Sequence, residues 1–104
     1  MTDLPISEQY RLVAKKWVEK DGAARLLEET KTSVLAKMVS DLGDMPYNRA
    51  EATVKASREW REFLEQMVQT RTDALLLKCQ MEFLRMKFNE WQSDEATRRA
   101  EMKL

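Results

Sequence analysis

Few residues in this chain of 104 are equipped for chemistry. It has no histidine and one cysteine, Cys79. That removes the usual zinc and haem ligand sets and the nucleophile–base pairs of hydrolases. A carboxylate metal site needs Asp and Glu side chains converging from facing helices. Here Glu51 and Lys55, Arg58 and Glu62, and Arg61 and Glu65 have instead the spacing of helix-surface ion pairs. The only glycines, Gly22 and Gly43, build no phosphate-cradling loop. No catalytic, cofactor-binding or metal-ligating residue is nominated, and no enzymatic activity is expected.

Two other sets of residues stand out. Arg71, Lys78 and Arg85 form a basic line at helical spacing, a candidate contact for an anionic partner, although Glu82 and Asn89 share that side. Leu76, Cys79, Phe83 and Met86 form an apolar row, a candidate interface in which the thiol reads as a small hydrophobe. The 18 basic and 18 acidic residues cancel, so no global field draws the chain to nucleic acid or to an acidic membrane.

The element that positions both sets is the stretch 48–92, which contains no Gly and no Pro. Asn48 is placed to cap it, with Glu51 three residues on to complete a capping box. In its first half Thr53, Ser57, Trp60, Leu64, Met67, Arg71 and Ala74 alternate by four and three, widened by Phe63, Val68 and Leu75. In its second half the apolar residues move to Leu77, Met81, Leu84, Phe88 and Trp91 on one side and to the row of Leu76 on another. Each row lies about 100° from the first-half face. The pattern predicts a change of neighbours near Thr70 to Leu75, through a break at Gln69–Asp73 or along a straight helix that meets different elements; the straight helix is preferred. The surplus apolar surface calls for a second partner, either within a three-helix core or from another copy.

Before this stretch, residues 1–6 read as an extended lead-in and Ser7 as the cap of a helix over 7–20. Its apolar face is Tyr10, Val13, Ala14, Trp17 and Val18, opposite a locally basic side of Arg11, Lys15, Lys16 and Lys20. Asp21-Gly22 predicts a bend. A second helix over 23–42 carries Ala24, Leu27, Val34, Leu35, Met38, Val39 and Leu42, and ends at Gly43 as a left-handed C′ residue. The tight connection Asp44–Tyr47 then imposes an antiparallel packing of 23–42 on 50–69. The Asp21-Gly22 joint either lets the first helix run on beside residues 72–90 or folds it back across the hairpin, and in both cases Trp17 is expected to be buried near the middle of the long stretch. Residues 93–104 form a charged tail with Arg98 and Arg99.

The expected fold is all-α, an antiparallel helical hairpin or three-helix bundle of coiled-coil composition, with one long C-terminal helix and a single domain over 1–104. One cysteine allows no intrachain disulfide, and neither a signal peptide nor a membrane span is evident, so a cytoplasmic location is expected.

The segments Leu42-Gly43-Asp44-Met45-Pro46, Arg49-Ala50-Glu51, Phe88-Asn89-Glu90-Trp91-Gln92-Ser93 and Glu95-Ala96-Thr97-Arg98-Arg99-Ala100-Glu101 resemble short, uncharacterised helical proteins of phages and prophages. The resemblance implies an accessory role near recombination or replication genes and transfers no catalytic residue. The leading expectation is therefore a non-catalytic interaction protein that forms homo-oligomers, dimeric or higher, and engages an unidentified protein partner without cofactor or membrane. The alternative is a DNA-binding accessory protein that uses the basic line.

Overall fold

The structure, a computed structural model, describes residues 3–103. The lead-in residues Met1 and Thr2 and the last tail residue, Leu104, lie outside the described residues. Three helices follow in order, α1 (Ile6–Asp41), α2 (Tyr47–Lys55) and α3 (Arg58–Met102). The architecture is all-α, with no strand among the described residues and a long C-terminal helix.

Three boundaries differ from those read in the sequence. α1 begins at Ile6, one residue before Ser7, and the carbonyl of Pro5 accepts the backbone N–H groups of Glu8 and Gln9. The expected bend at Asp21-Gly22 is absent and the helix passes straight through. Gly22 costs about 1 kcal/mol in a helix interior. The buried Ala24 two residues on and the cross-helix bond of Asp21 to Arg71 outweigh that cost. Gly43 takes the expected left-handed conformation, with φ +76°.

The third difference is the position of the interruption in 48–92. Asn48 caps nothing, because α2 already starts at Tyr47 behind Pro46, and no side chain caps it. The preferred uninterrupted helix over 48–92 is not what forms: α3 runs unbroken through Gln69–Asp73, but the chain is interrupted earlier, at Ala56-Ser57. Ser57 makes the break: its hydroxyl donates to the carbonyl of Val54 at 2.6 Å and accepts the backbone N–H of Trp60 at 3.2 Å. One side chain thus closes α2 and caps α3. Beyond it α3 is continuous, and its helix includes the expected tail as far as Met102.

The chain divides into two compact units, residues 19–74 and residues 1–18 with 75–104. The first is built from three helical segments: the C-terminal part of α1, all of α2 and the first part of α3. Its buried residues are Ala24, Ala50, Val54, Trp60 and Ala74, and the rings of Trp60 and Phe63 stack with centroids 5.5 Å apart. Met38, Asp41 and Leu42 share a groove with Thr53, Val54, Ser57 and Glu59, the antiparallel pairing that the short connection imposes.

The second unit is built from two helical segments only, the start of α1 and the rest of α3. Val13 and Leu84 are its buried residues. Trp17, expected to be buried, is half-buried. Ile6 lies against Leu84 and Phe88, and the Arg85 guanidinium donates to the Tyr10 hydroxyl at 3.3 Å, so this pairing too is antiparallel.

Candidate functional site: the two apolar faces of α3

Over residues 75–91, α3 carries apolar side chains on two faces. The inner face follows a seven-residue repeat, Trp60, Met67, Ala74, Met81 and Phe88, with Phe63, Thr70, Leu77 and Leu84 three places further on. Every member except Phe88 is buried or half-buried. The alternation followed in the sequence went from Arg71 to Lys78 and Arg85, one position to the side of this repeat. Read one position over, the apolar repeat runs on past residue 71, while the boundary between the two units, at 74/75, falls within the stretch where the sequence predicts a change of neighbours.

The outer face is the row Leu76, Cys79, Phe83 and Met86, centred about 150° from the inner face at 100° per residue. Leu76 is 63% exposed, and Phe83 and Met86 are 58% exposed each. Cys79 is exposed and free, and Leu75 beside it is 52% exposed. Side chains of this size are normally placed singly on a surface. Here four consecutive positions of one helical face are apolar, and no segment of their own unit lies over them. The structure thus gathers all four candidate interface residues on a single exposed strip.

At the far end of the inner face α1 runs out at Ile6. An open groove of about 260 Å³ remains there, lined by Ile6, Ser7, Tyr10, Leu84, Arg85 and Phe88. Trp91, stacked on Phe88 with centroids 6.0 Å apart, continues it.

The basic line is divided between the two units. The Arg71 guanidinium is held between two carboxylates of α1, at 2.6 Å from Asp21 and 2.8 Å from Glu28. Both interactions are charge-assisted, and the pair to Glu28 is bidentate. The hydrogen bond from Arg71 holds the Glu28 carboxyl below its ordinary range, and Glu28 first and then Asp21 hold the arginine firmly protonated. Asp21 also pairs with Arg25, and Lys20 with Asp73, so the cluster is a polar layer next to the small residues Ala24 and Ala74. Arg71 is therefore a structural arginine of residues 19–74. Arg85 belongs to the other unit, where its bond to Tyr10 raises its proton affinity further. Lys78 is exposed.

No family model, no curated protein and no solved structure matches the chain. Among the described residues no group of His, Cys, Asp and Glu side chains is arranged to hold a metal ion, and no helix is long and apolar enough to cross a membrane.

Two residues have roles that the spacing pattern does not show. Ser57 falls on the apolar stripe by spacing, although serine before an Arg-Glu pair is a serviceable cap signal. The role of Arg71 required its partners, and Asp21 and Glu28 are 50 and 43 residues away in the chain. Their seven-residue spacing on α1 was the available signal, since it places both carboxylates on one helical face.

Proposed function

We propose that this is a non-catalytic helical interaction protein that self-associates through the outer face of α3, Leu76, Cys79, Phe83 and Met86. The observation that carries the reading is the exposure of that strip in a unit with only two helical segments. A helix with apolar residues on two opposed faces needs two neighbours, and α1 supplies one. A second copy supplies the missing segment. The contact is one helix face, smaller than a standard interface, and association in a range of about 1–100 µM fits its size.

The protein acts in the cytoplasm in this reading, where the free Cys79 stays reduced. The resemblance to phage and prophage accessory proteins directs the search for a further partner toward recombination, replication and defence proteins. The alternative of DNA binding through Arg71, Lys78 and Arg85 draws less support, because Arg71 is already neutralised by Asp21 and Glu28.

The test is the double substitution Phe83→Glu with Met86→Glu. Both positions face water in the isolated chain, so helicity and melting temperature at low concentration stay within error of the parent. Self-association weakens by at least about 100-fold, since four glutamates would enter an apolar contact. An unchanged solution mass places the contact elsewhere.

A further inference from the structure

We infer that the joint between α2 and α3 is a two-state hinge, held bent by the Ser57 hydroxyl, whose release lets residues 47–102 run as one helix. The preference of the local chain and the structure disagree at this point. No Gly or Pro occurs from Tyr47 onward, so no residue type forces a break there. Disagreements of this kind gather at functional or strained sites.

The backbone of the joint is already close to helical. Ala56 has φ −86° and ψ −6°, and among the described residues only Gly43 has a positive φ. A rotation of about 35° in ψ makes Ala56 an ordinary helical residue. Its N–H still donates to Ala52, and Arg61 donates to Ser57, so the ladder is whole on either side. In between, the Ser57 N–H donates to Val54, one residue nearer than its helical acceptor, and the N–H groups of Arg58 and Glu59 have no acceptor among the described residues. Straightening gives Arg58, Glu59 and Trp60 the carbonyls of Val54, Lys55 and Ala56, in exchange for the two bonds of the Ser57 hydroxyl.

The phase of α2 opposes this change. Continued without a break at about 100° per residue, α3 turns Arg49, Ala52 and Ala56 toward its inner face. In the structure all three are exposed, and α2 instead buries Ala50 and Val54, which lie about 140° away on that continuous helix. The bend therefore brings this apolar pair inward. Those two residues are all that α2 buries, and the element has nine residues with no side-chain cap at its N-terminus. Backbone bonds favour the straight state and two small buried side chains favour the bent one, so one hydroxyl decides between them. Straightening turns Val54 out of the groove that it shares with Met38 and Leu42 and opens the apolar end of α1.

Amide exchange and relaxation-dispersion NMR on the full chain test the hinge with two substitutions. Ser57→Ala removes the hydroxyl and puts the best helix former at the joint. Arg58→Pro acts in the opposite direction. At the first residue of α3 a proline loses no bond, since the Arg58 N–H has none, whereas inside a fused helix it would clash with the carbonyl of Val54.

In Ser57→Ala the amides of Arg58 and Glu59 are expected to exchange at least about tenfold more slowly than in the parent, with helical Cα shifts through residues 56–58. Unchanged exchange overturns the inference, because packing alone then holds the bend. In the parent, microsecond-to-millisecond broadening is expected over residues 47–60. It is expected to vanish in Arg58→Pro, whose melting temperature stays within about 2 °C of the parent. Broadening that is absent from the parent, or that survives the proline, overturns the hinge whatever becomes of the alanine variant.

Discussion

The two units of the chain solve the same problem with different numbers of parts. Residues 19–74 enclose their core with three helical segments, and Ala24, Ala50, Val54, Trp60 and Ala74 are all buried there. Residues 1–18 with 75–104 have two segments, and only Val13 and Leu84 are buried there among the described residues. Two helices in contact hide one stripe of each, whatever lies on their other sides. The exposed row of α3 therefore follows from the count of helices, because α2 has no counterpart in that unit.

The units differ as well in what fixes their register. In residues 19–74 a part-exposed arginine reaches two carboxylates on α1, and the small residues Ala24 and Ala74 let the helices approach closely beside it. A polar layer of this kind is weak evidence for stability and better evidence for specificity, because a slipped register leaves charges unpaired. The other unit holds its helices with large apolar side chains and the single bond from Arg85 to Tyr10.

The largest effect that sharpens this contrast is expected from Trp60→Ala. Trp60 is 5% exposed and stacked on Phe63, and its loss should cost about 3–5 kcal/mol in chemical denaturation. Leu84→Ala in the two-segment unit removes an equally enclosed but smaller side chain and should cost about 2–4 kcal/mol. A larger loss at Leu84 than at Trp60 would reverse the ranking of the two cores.

The polar layer comes next. Arg71→Met keeps an unbranched apolar stem and leaves Glu28 without its cation, and the melting temperature at pH 7 should fall by about 4–8 °C. The Glu28 carboxyl is held below its ordinary value of 4.5 by the arginine. Its contribution is therefore complete above that value and is lost as pH falls through the depressed one. The gap between parent and variant should be full at pH 7 and shrink below about pH 4.5. A gap independent of pH would assign the effect to packing of the arginine stem.

Much of the fold was legible in the sequence, for identifiable reasons. Helical class, the turn at Gly43 and the antiparallel return follow from local chemistry, in which one glycine and a short connection leave few alternatives. The outer row was legible too, because spacing alone separates Leu76, Cys79, Phe83 and Met86 from the inner face. What escaped was set by tertiary contact or by competition between weak signals. Gly22 reads as a bend until the packing of Ala24 is weighed against it, and Arg71 reads as a free cation until Asp21 and Glu28 are placed beside it. The break at Ser57 was hidden by the absence of Gly and Pro, the usual punctuation.

Gly22→Ala carries the smallest effect. A methyl group built there meets nothing within 4 Å and the backbone is helical, so the substitution should stabilise the chain by about 0.5–1 kcal/mol. A loss of stability would mean that α1 bends at this residue in solution.

Whether a second copy of the chain covers the outer face of α3 is read from light scattering across a concentration series. The mass is expected to rise from 12.3 kDa toward twice that value, with half-conversion in a range of about 1–100 µM. A mass that stays at 12.3 kDa up to several hundred micromolar would contradict that coverage.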